Sequence, residues 1–594
     1  MSVHPNDIAR RSRIASLGVA ALLVALASAF FNAQVLQHDR YKLQSQENRL
    51  RAIPLPAPRG TIYDRAGNII AENLPGYSVS LLPSNVDSLR AALKQLSTVI
   101  TLTPDEIEQA VRRYRRDPNR PTVIISDASI DVISVLEEHR INFPRLIIQS
   151  IPKRFYPDGP AVASFVGYTG EITDADLNNP AYEGYKPGQL VGKGGLEKEY
   201  EKELRGTEGV RYDEVDARGR LVRQASERID LMPESAPPLY TNIDLDLQRY
   251  TASIFGDSLQ GALVALDPHT GGVLALYSAP SYDVNRFTGG IPADYWKQLL
   301  TDDRRPLVNK AIQGRYPPGS TFKLATAVTG LEGGIVSLDS HMPEPCTGGY
   351  QYGNRYFHCW DKRGHGDIDL SQAIEKSCDV YFYQLGLKIG LSRLIAGGVS
   401  LQLRDKSGID LPEEKRALFP YAVDYYNKTY GARGWSNSVT LNLAIGQGED
   451  AQTVVNMAKF YAALATDGRA PQPFVARHAP VKEQVFKLTP EQMDGLRKAL
   501  AGVVQAGGTA ASARIQGVVL AGKTGTAQTG KFVNGTELNH AWFVGFAPAD
   551  DPKIVVAVMI EFGGHGGRAA HVASSVISHY LKVVPVSSQL QTEG

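Results

Sequence analysis

At 594 residues the chain is long enough to build two or more separate cores. A formal charge of +1 excludes the strong basic excess of a nucleic-acid binder, and a hydrophobic content of 43% excludes a polytopic membrane protein. The three cysteines, Cys346, Cys359 and Cys378, lie in one short stretch, an odd and clustered set unsuited to a disulfide framework.

In chain order, the run Ile14–Phe31 is broken only by Ser16 and Ser28. As a helix it spans about 27 Å, close to the hydrocarbon thickness of a bilayer. Arg10, Arg11 and Arg13 precede it, so the positive-inside rule leaves residues 1–13 in the cytoplasm and everything after the anchor (14–36) on the far side. Ala27-Ser28-Ala29 would suit signal-peptide cleavage, but apolar residues continue to Leu36 and the length favours an uncleaved anchor. Gln37–Arg51 reads as a polar helical stalk. Ala57–Asn68 carries Pro and Gly punctuation around β-prone Thr61-Ile62-Tyr63 and leads to Ile69-Ile70, which predicts a hairpin.

Helical patterns at Ser88–Ile100, Thr103–Arg115 and Ile130–His139, with the strand Thr122–Ile125, mark a small α+β head insertion over 87–145. Its basic run Arg112–Arg116 reads as a solvated helix face. Gly192–Glu201 has the glycines of a phosphate loop but neither the preceding strand nor the Lys-Ser/Thr, so it reads as a loop capping a helix. Pro233–Pro238 is the linker, dividing a mainly β pedestal (37–236) from a second domain (237–585), with a short tail at 586–594.

The second domain opens with strands at Leu239–Ile243, Ala262–Asp267 and Gly272–Tyr277. Helices follow at Ser320–Leu331, Ser371–Leu387, Val454–Asp467 and Pro490–Val504. Strands return at Val518–Ala521, His540–Phe546 and Ile554–Ile560. Strands, helices, then strands predict an antiparallel sheet whose two ends pair, with a helical lobe inserted between them.

Three motifs in this domain carry chemistry. In Tyr316-Pro317-Pro318-Gly319-Ser320-Thr321-Phe322-Lys323, the breakers stop the chain just before a helix, placing Ser320 in its first turn. Lys323 rises from the same face one turn on, and a desolvated lysine can take the proton of a serine nucleophile. Ser377-Cys378-Asp379 can relay a proton toward a leaving group. Lys523 and Thr524, in Lys523-Thr524-Gly525-Thr526, can hold a substrate carboxylate, while Gly525 lets a ligand backbone approach the strand. Each motif is weak alone; in this order within one domain they specify an acyl-transferring serine enzyme.

The chain resembles the class B penicillin-binding proteins, the peptidoglycan D,D-transpeptidases. The likeness rests on Arg59–Arg65, Gly192–Gly195, Tyr316–Lys323, Ile445–Gly448, and Ala521–Gln528 followed by Ala541–Pro548. It implies the α+β penicillin-binding serine-transpeptidase fold on an elongated pedestal, with one N-terminal transmembrane helix in the inner membrane. It also implies that Ser320 attacks the penultimate D-Ala of a stem pentapeptide with Lys323 as base. The backbone N–H groups of Ser320 and Thr526 would then form the oxyanion hole, and β-lactams would acylate Ser320. Where the family usually has Ser-x-Asn, this chain has Ser377-Cys378-Asp379, which resembles the elongation-type (cell-shape) members. A carboxylate does not donate as an amide does, and an Asp379–lysine ion pair is one replacement. The elongation type implies a RodA-type polytopic glycosyltransferase as partner.

No catalytic cofactor is implied. Cys346, Cys359, His365 and Cys378 nevertheless make a complete tetrahedral zinc set, whose spacing also resembles a zinc site of some elongation-type members. Such a metal would clamp the second motif from behind. A Cys346–Cys359 disulfide and buried free thiols are the alternatives, with His358 and then Asp361 as reserve ligands. Three other activities fit less well. A β-lactamase needs no anchor or pedestal, and a penicillin sensor needs a cytoplasmic signalling domain. A division-type transpeptidase is disfavoured by Asp379 and the Cys/His set.

Overall fold

The computed structural model describes residues 5–38, 50–118, 120–216, 221–224, 230–288 and 290–584. Most of the expected stalk and all of the tail 586–594 lie outside the described residues. The N-terminal helix runs Pro5–Phe31 and continues through a π-helical turn, Asn32–Leu36; Ala9–Leu36 is long and apolar enough to cross a membrane.

Among the described residues, the first half of the chain is built on three sheets. The hairpin Ile62–Tyr63/Ile69–Leu81 forms as expected, because the Asp64 carboxylate gathers the backbone N–H groups of Ala66 and Asn68 into its turn. The long second strand then pairs antiparallel with Leu146–Phe155 from Glu72 to Leu81. The head helices Val86–Leu96, Pro104–Arg116 and Ile130–Glu138 start at Asn85, Thr103 and Ser129, each of which caps its helix with a side-chain acceptor. They bury Leu89, Leu93, Val111 and Leu136 over that sheet. The Arg112–Arg116 run is not simply a solvated face: Arg113 is largely buried, bonding the Val123 carbonyl and pairing with Glu171, and Arg116 pairs with Asp174.

Gly192–Gly195 does cap a short helix, Gly195–Glu199. Its role beyond that was not legible: the helix presents Glu197, fully buried, to Arg59 (2.9 Å) and Arg154 (2.6 Å). Glu201 also pairs with Arg59, at 2.9 Å. Two residues past Arg154, the Tyr156 backbone exchanges two hydrogen bonds with the Asn285 side chain (3.0 and 2.9 Å), tying this half to the next.

The second half is organised by a five-stranded sheet, here numbered β1 (Gly261–Leu266), β2 (Val273–Ala279), β3 (Ala521–Ala527), β4 (His540–Ala547) and β5 (Ile554–Ile560), in the order β2-β1-β5-β4-β3. Every pairing is antiparallel, and the N-terminal strand β1 lies beside the C-terminal β5. The two ends of the segment thus pair, as predicted. The strands are buried along nearly their whole length because helices cover the sheet: Leu245–Phe255 with Gly566–Leu581, and separately the wholly buried Val454–Ala465. Leu239–Tyr240 is only a two-residue strand, and it pairs parallel with Ile62–Tyr63 instead of joining this sheet.

Candidate active site

Ser320 sits at the edge of β3. Gly319–Phe322 forms a 3₁₀ turn, and the α-helix (α1, Lys323–Glu332) begins only at Lys323, so the expected helix Ser320–Leu331 is split. Three segments hold the turn. The Gly319 N–H donates to Gly446 O at 2.9 Å, Tyr316 exchanges backbone hydrogen bonds with Gln452 (2.9 and 2.8 Å), and the Tyr461 hydroxyl donates to Thr321 O at 2.9 Å. Gly319 has φ +54, and a Cβ there would stand 2.7 Å from Thr526 O, so the Ser320 turn and β3 meet backbone to backbone. Ser320 itself is half-buried, whereas Lys323 is wholly buried.

The expected helix Ser371–Leu387 is two helices, α2 (Leu370–Glu375) and α3 (Asp379–Ile389), broken at the second motif. Ser377 occupies the left-handed region at φ 55. Lys323 Nζ donates to Ser377 O (2.8 Å), Ser377 Oγ (3.3 Å) and Asp379 Oδ1 (2.8 Å). The ion pair suggested in place of an amide contact is therefore formed. Asp379 Oδ2 accepts the Trp360 N–H at 3.0 Å, a contact with no signal in the sequence.

The strand predicted at Val518–Ala521 instead begins at Ala521, so the third motif lies inside β3, in register with β4 through Lys523 and Val544. Lys523 Nζ donates to Ser377 Oγ at 2.8 Å and to Thr524 O at 3.2 Å. The Thr524 and Thr509 hydroxyls bond at 2.7 Å, and Gln447 Nε2 reaches Thr526 O at 3.4 Å. Burial holds the Lys523 amine well below the usual lysine pKa; the charge of Lys323 pushes the same way, against the Asp379 carboxylate. Gly525 has Pro318 O 2.7 Å from where a Cβ would sit, which explains the glycine by close approach of the chain itself.

Behind the second motif, the ligand atoms of Cys346, Cys359, His365 and Cys378 all lie within 4.8 Å of one another. His365 Nδ1 stands 3.6 Å from Cys346 Sγ and 3.5 Å from Cys359 Sγ. A tetrahedral ion with metal–sulfur and metal–nitrogen bonds near 2.3 and 2.0 Å separates sulfur from nitrogen by about 3.5 Å, so the four residues fit a metal. The cysteines are free, not paired as a disulfide. His358 is exposed and outside the cluster, and Asp361 is engaged by Arg363. A hydrogen bond from Cys378 pushes the Cys359 thiol down, the same pairing pushes the Cys378 thiol up, and burial pushes the Cys346 thiol up.

An antiparallel sheet in which the first and last segments of the domain pair, with two lysines sharing one serine hydroxyl beside a half-buried serine turn, defines the active-serine transpeptidase class. Residues 261–579 match the penicillin binding protein transpeptidase domain, and 54–233 match the penicillin-binding protein dimerisation domain. The peptidoglycan D,D-transpeptidase MrdA of Acinetobacter baumannii is 34% identical over 94% of this chain and 85% of its own length; that of Escherichia coli is 31% identical over 96% and 94%. The Helicobacter pylori penicillin-binding protein PBP2, solved in complex with MreC, superposes with a TM-score of 0.78 at 28% identity, covering 90% of this chain and 99% of that one. Pseudomonas aeruginosa PBP2 in complex with WCK 5153 gives 0.67 at 31%, covering 89% and 97%. A chain of a peptidoglycan synthase complex gives 0.69 at 29%, covering 98% and 100%. The chain belongs to the class B penicillin-binding proteins of the elongation type.

Proposed function

We propose that Ser320 is the nucleophile of a peptidoglycan D,D-transpeptidase that cross-links stem peptides during cell elongation and is a target of β-lactams. The observation that carries this is the convergence of Lys323 and Lys523 on the Ser377 hydroxyl, next to the turn that presents Ser320. Lys323, its ion-pair proton handed to the Asp379 carboxylate, acts as the neutral amine and accepts the Ser320 proton as the serine Oγ bonds to the penultimate D-Ala carbonyl carbon. The N–H groups of Ser320 and Thr526 take the oxyanion, and Lys523 with Thr524 takes the terminal carboxylate. Both lone pairs of Ser377 Oγ are occupied by lysine donors, so its own proton passes to the D-Ala amine as the peptide bond breaks, and the proton that Lys323 took from Ser320 replaces it on Ser377. An amine of a second stem then attacks the acyl-enzyme, forms the cross-link and releases Ser320. When water replaces that amine, the same steps give D-Ala-D-Ala carboxypeptidase activity.

Labelling of the full-length chain with a fluorescent penicillin tests this reading. Wild type is expected to label and Ser320→Ala to remain dark; labelling that survives the substitution refutes the assignment.

We assign zinc to the Cys346, Cys359, His365 and Cys378 set, on the fit of donor distances and donor chemistry. Bound there, zinc would neutralise thiolate charge and cross-link the segments around the second motif, with no part in acyl transfer. We place the boundary between pedestal and transpeptidase domain at the 233–238 linker. The apolar helix is a single-pass anchor; with arginines before it, it belongs in the inner membrane with the transpeptidase domain outside. A RodA-type polytopic glycosyltransferase is the membrane partner this arrangement suits, consistent with the resemblance to a chain of a peptidoglycan synthase complex.

A further inference from the structure

Between the second motif and the Gly446 loop, the chain carries an aromatic segment that the chemistry above does not use: Tyr421, Tyr425, Tyr426, Tyr430 and Trp435. Tyr426 is fully buried and acts as the hub. The rings of Tyr425, Tyr430 and Trp435 pack round it with centroids 5.5, 6.4 and 5.2 Å away, and Tyr421 extends the row from Tyr425 at 6.1 Å. The outer rings face solvent: Tyr421 is 41% and Tyr430 48% exposed.

This ridge is fixed to the cleft at both ends. The Tyr430 hydroxyl donates to Glu449 at 2.8 Å, and Glu449 continues the loop whose Gly446 holds Gly319 and whose Gln447 holds Thr526. Asn437 donates to the Tyr352 hydroxyl at 3.3 Å, on the hairpin Gly349–His358 that leads directly into Cys359 and the Asp379 contact at Trp360.

The geometry points to this ridge as a glycan-binding surface that seats the sugar strand bearing the stem peptide at Ser320. The inference rests on the acyl-enzyme reading and adds to it a second part of the substrate. A stem peptide extends at most about 3.5 Å per residue, so a chain reacting at Ser320 brings its sugar close to the rim of the cleft. Pyranose rings present apolar C–H faces that lie flat on exposed aromatic faces, while their hydroxyl and N-acetyl groups need polar neighbours. Glu449, Asn427 and Asn437 supply these along the ridge; Asn427 is fixed there by the Trp435 indole N–H at 2.9 Å. A hub buried in the fold with its outer rings partly exposed, Tyr421 carrying Arg404 and Lys428 each 5.5 Å from its ring centroid, is a pre-ordered platform that offers ring face and hydrogen-bond donors together and binds at low entropic cost.

The test is protection of Ser320 from a fluorescent penicillin in the full-length protein, with two ligands compared on each variant. One is the free stem pentapeptide; the other is the same peptide on its N-acetylglucosaminyl-N-acetylmuramyl disaccharide. In wild type the disaccharide form should protect at a concentration about three- to tenfold lower, the worth of one or two aromatic contacts. In Tyr421→Ala/Tyr430→Ala that advantage should vanish, while Tyr430→Phe, which keeps the ring and loses the Glu449 bond, should retain it. Equal protection by the two ligands in wild type overturns the surface, as does an advantage undiminished in the double variant. Labelling that does not depend on Ser320 instead overturns the acyl-enzyme reading beneath it.

Discussion

Asp379 holds Lys323 by one carboxylate oxygen and the Trp360 N–H by the other, at 2.8 and 3.0 Å. Both partners are donors, so the position needs two acceptors. An asparagine has one oxygen and must turn its NH₂ toward either the lysine or the indole-bearing loop. The family's usual Ser-x-Asn is thus disfavoured here by a specific neighbour, and Trp360 directly follows Cys359 of the Cys/His cluster. Asp379→Asn is expected to slow penicillin acylation about tenfold or more, the effect of losing one charge-assisted hydrogen bond. Asp379→Ala, which leaves Lys323 buried without a counter-charge, should also lower stability by about 3–5 kcal/mol. Stopped-flow acylation and thermal unfolding measure the two effects; wild-type acylation by Asp379→Asn would remove the case for a required carboxylate.

Cys378 caps α3 through the Tyr381 N–H, at 3.5 Å from its sulfur, and belongs to the four-residue cluster. A serine can keep the cap but is a poor zinc ligand. Wild-type protein purified without chelator should hold about one zinc per chain, and Cys378→Ser much less, by elemental analysis. Chelation of wild type should lower its melting temperature, whereas Cys378→Ser should be insensitive to chelator. Metal-free wild type with the same melting temperature as the purified protein would dispose of the zinc assignment.

What the sequence revealed and what it hid divide along physical lines. The reactive residues were legible because residue type itself carries the chemistry, and three such motifs in order are hard to produce by chance. The break at Lys376–Cys378 was not, because the apolar pattern runs on from Leu370 to Ile389 as if one helix were continuous. Ser377 leaves the helix for the left-handed region in a structure where Lys323 and Lys523 both reach it from other elements. Likewise Gly522, Lys523 and Gly525 are poor strand formers, so propensity places the strand at Val518–Ala521; pairing with β4 instead begins it at Ala521 and carries it to Ala527. The Cys/His cluster was readable as a donor set, but not the Trp360 bond beside it, which depends on where Asp379 points.

Asp450 gives a pH signature. It is fully buried, accepts one hydrogen bond from Gln452 Nε2 at 2.7 Å, and its second oxygen has no partner. Burial pushes its pKa up to about 8. Between the unfolded value of about 4 and that figure the folded chain keeps a proton the unfolded chain has lost. Stability from this group is therefore full at low pH and declines as pH rises through the window, by at most on the order of 1.4 kcal/mol per pH unit. Asp450→Asn abolishes the titration while keeping one acceptor. The melting temperature of wild type should fall relative to the variant between about pH 5 and 8 and approach it below about pH 4. Parallel curves across that range would show that Asp450 is not protonated in the fold.

Gly446 and Gly448 separate backbone strain from displacement of the nucleophile. Both have positive φ, +71 and +77, so alanine at either costs about 1–2 kcal/mol in local conformation. Their surroundings differ. A Cβ on Gly446 would lie 2.4 Å from Gly319 O and 2.6 Å from Phe322 Cβ, whereas one on Gly448 would meet only Asn442 Cβ at an ordinary 3.5 Å. Relief of the first clash must move the turn that carries Ser320, because the Gly319 N–H is bonded to the Gly446 carbonyl. A shift of about 1 Å at a reacting atom costs on the order of a hundredfold in rate. Gly446→Ala should therefore lose about that factor in penicillin acylation. Gly448→Ala should lose melting temperature and stay within about twofold of wild type in acylation, since it strains only its own backbone. Equal acylation by the two variants would mean that the Gly446–Gly319 contact does not position Ser320.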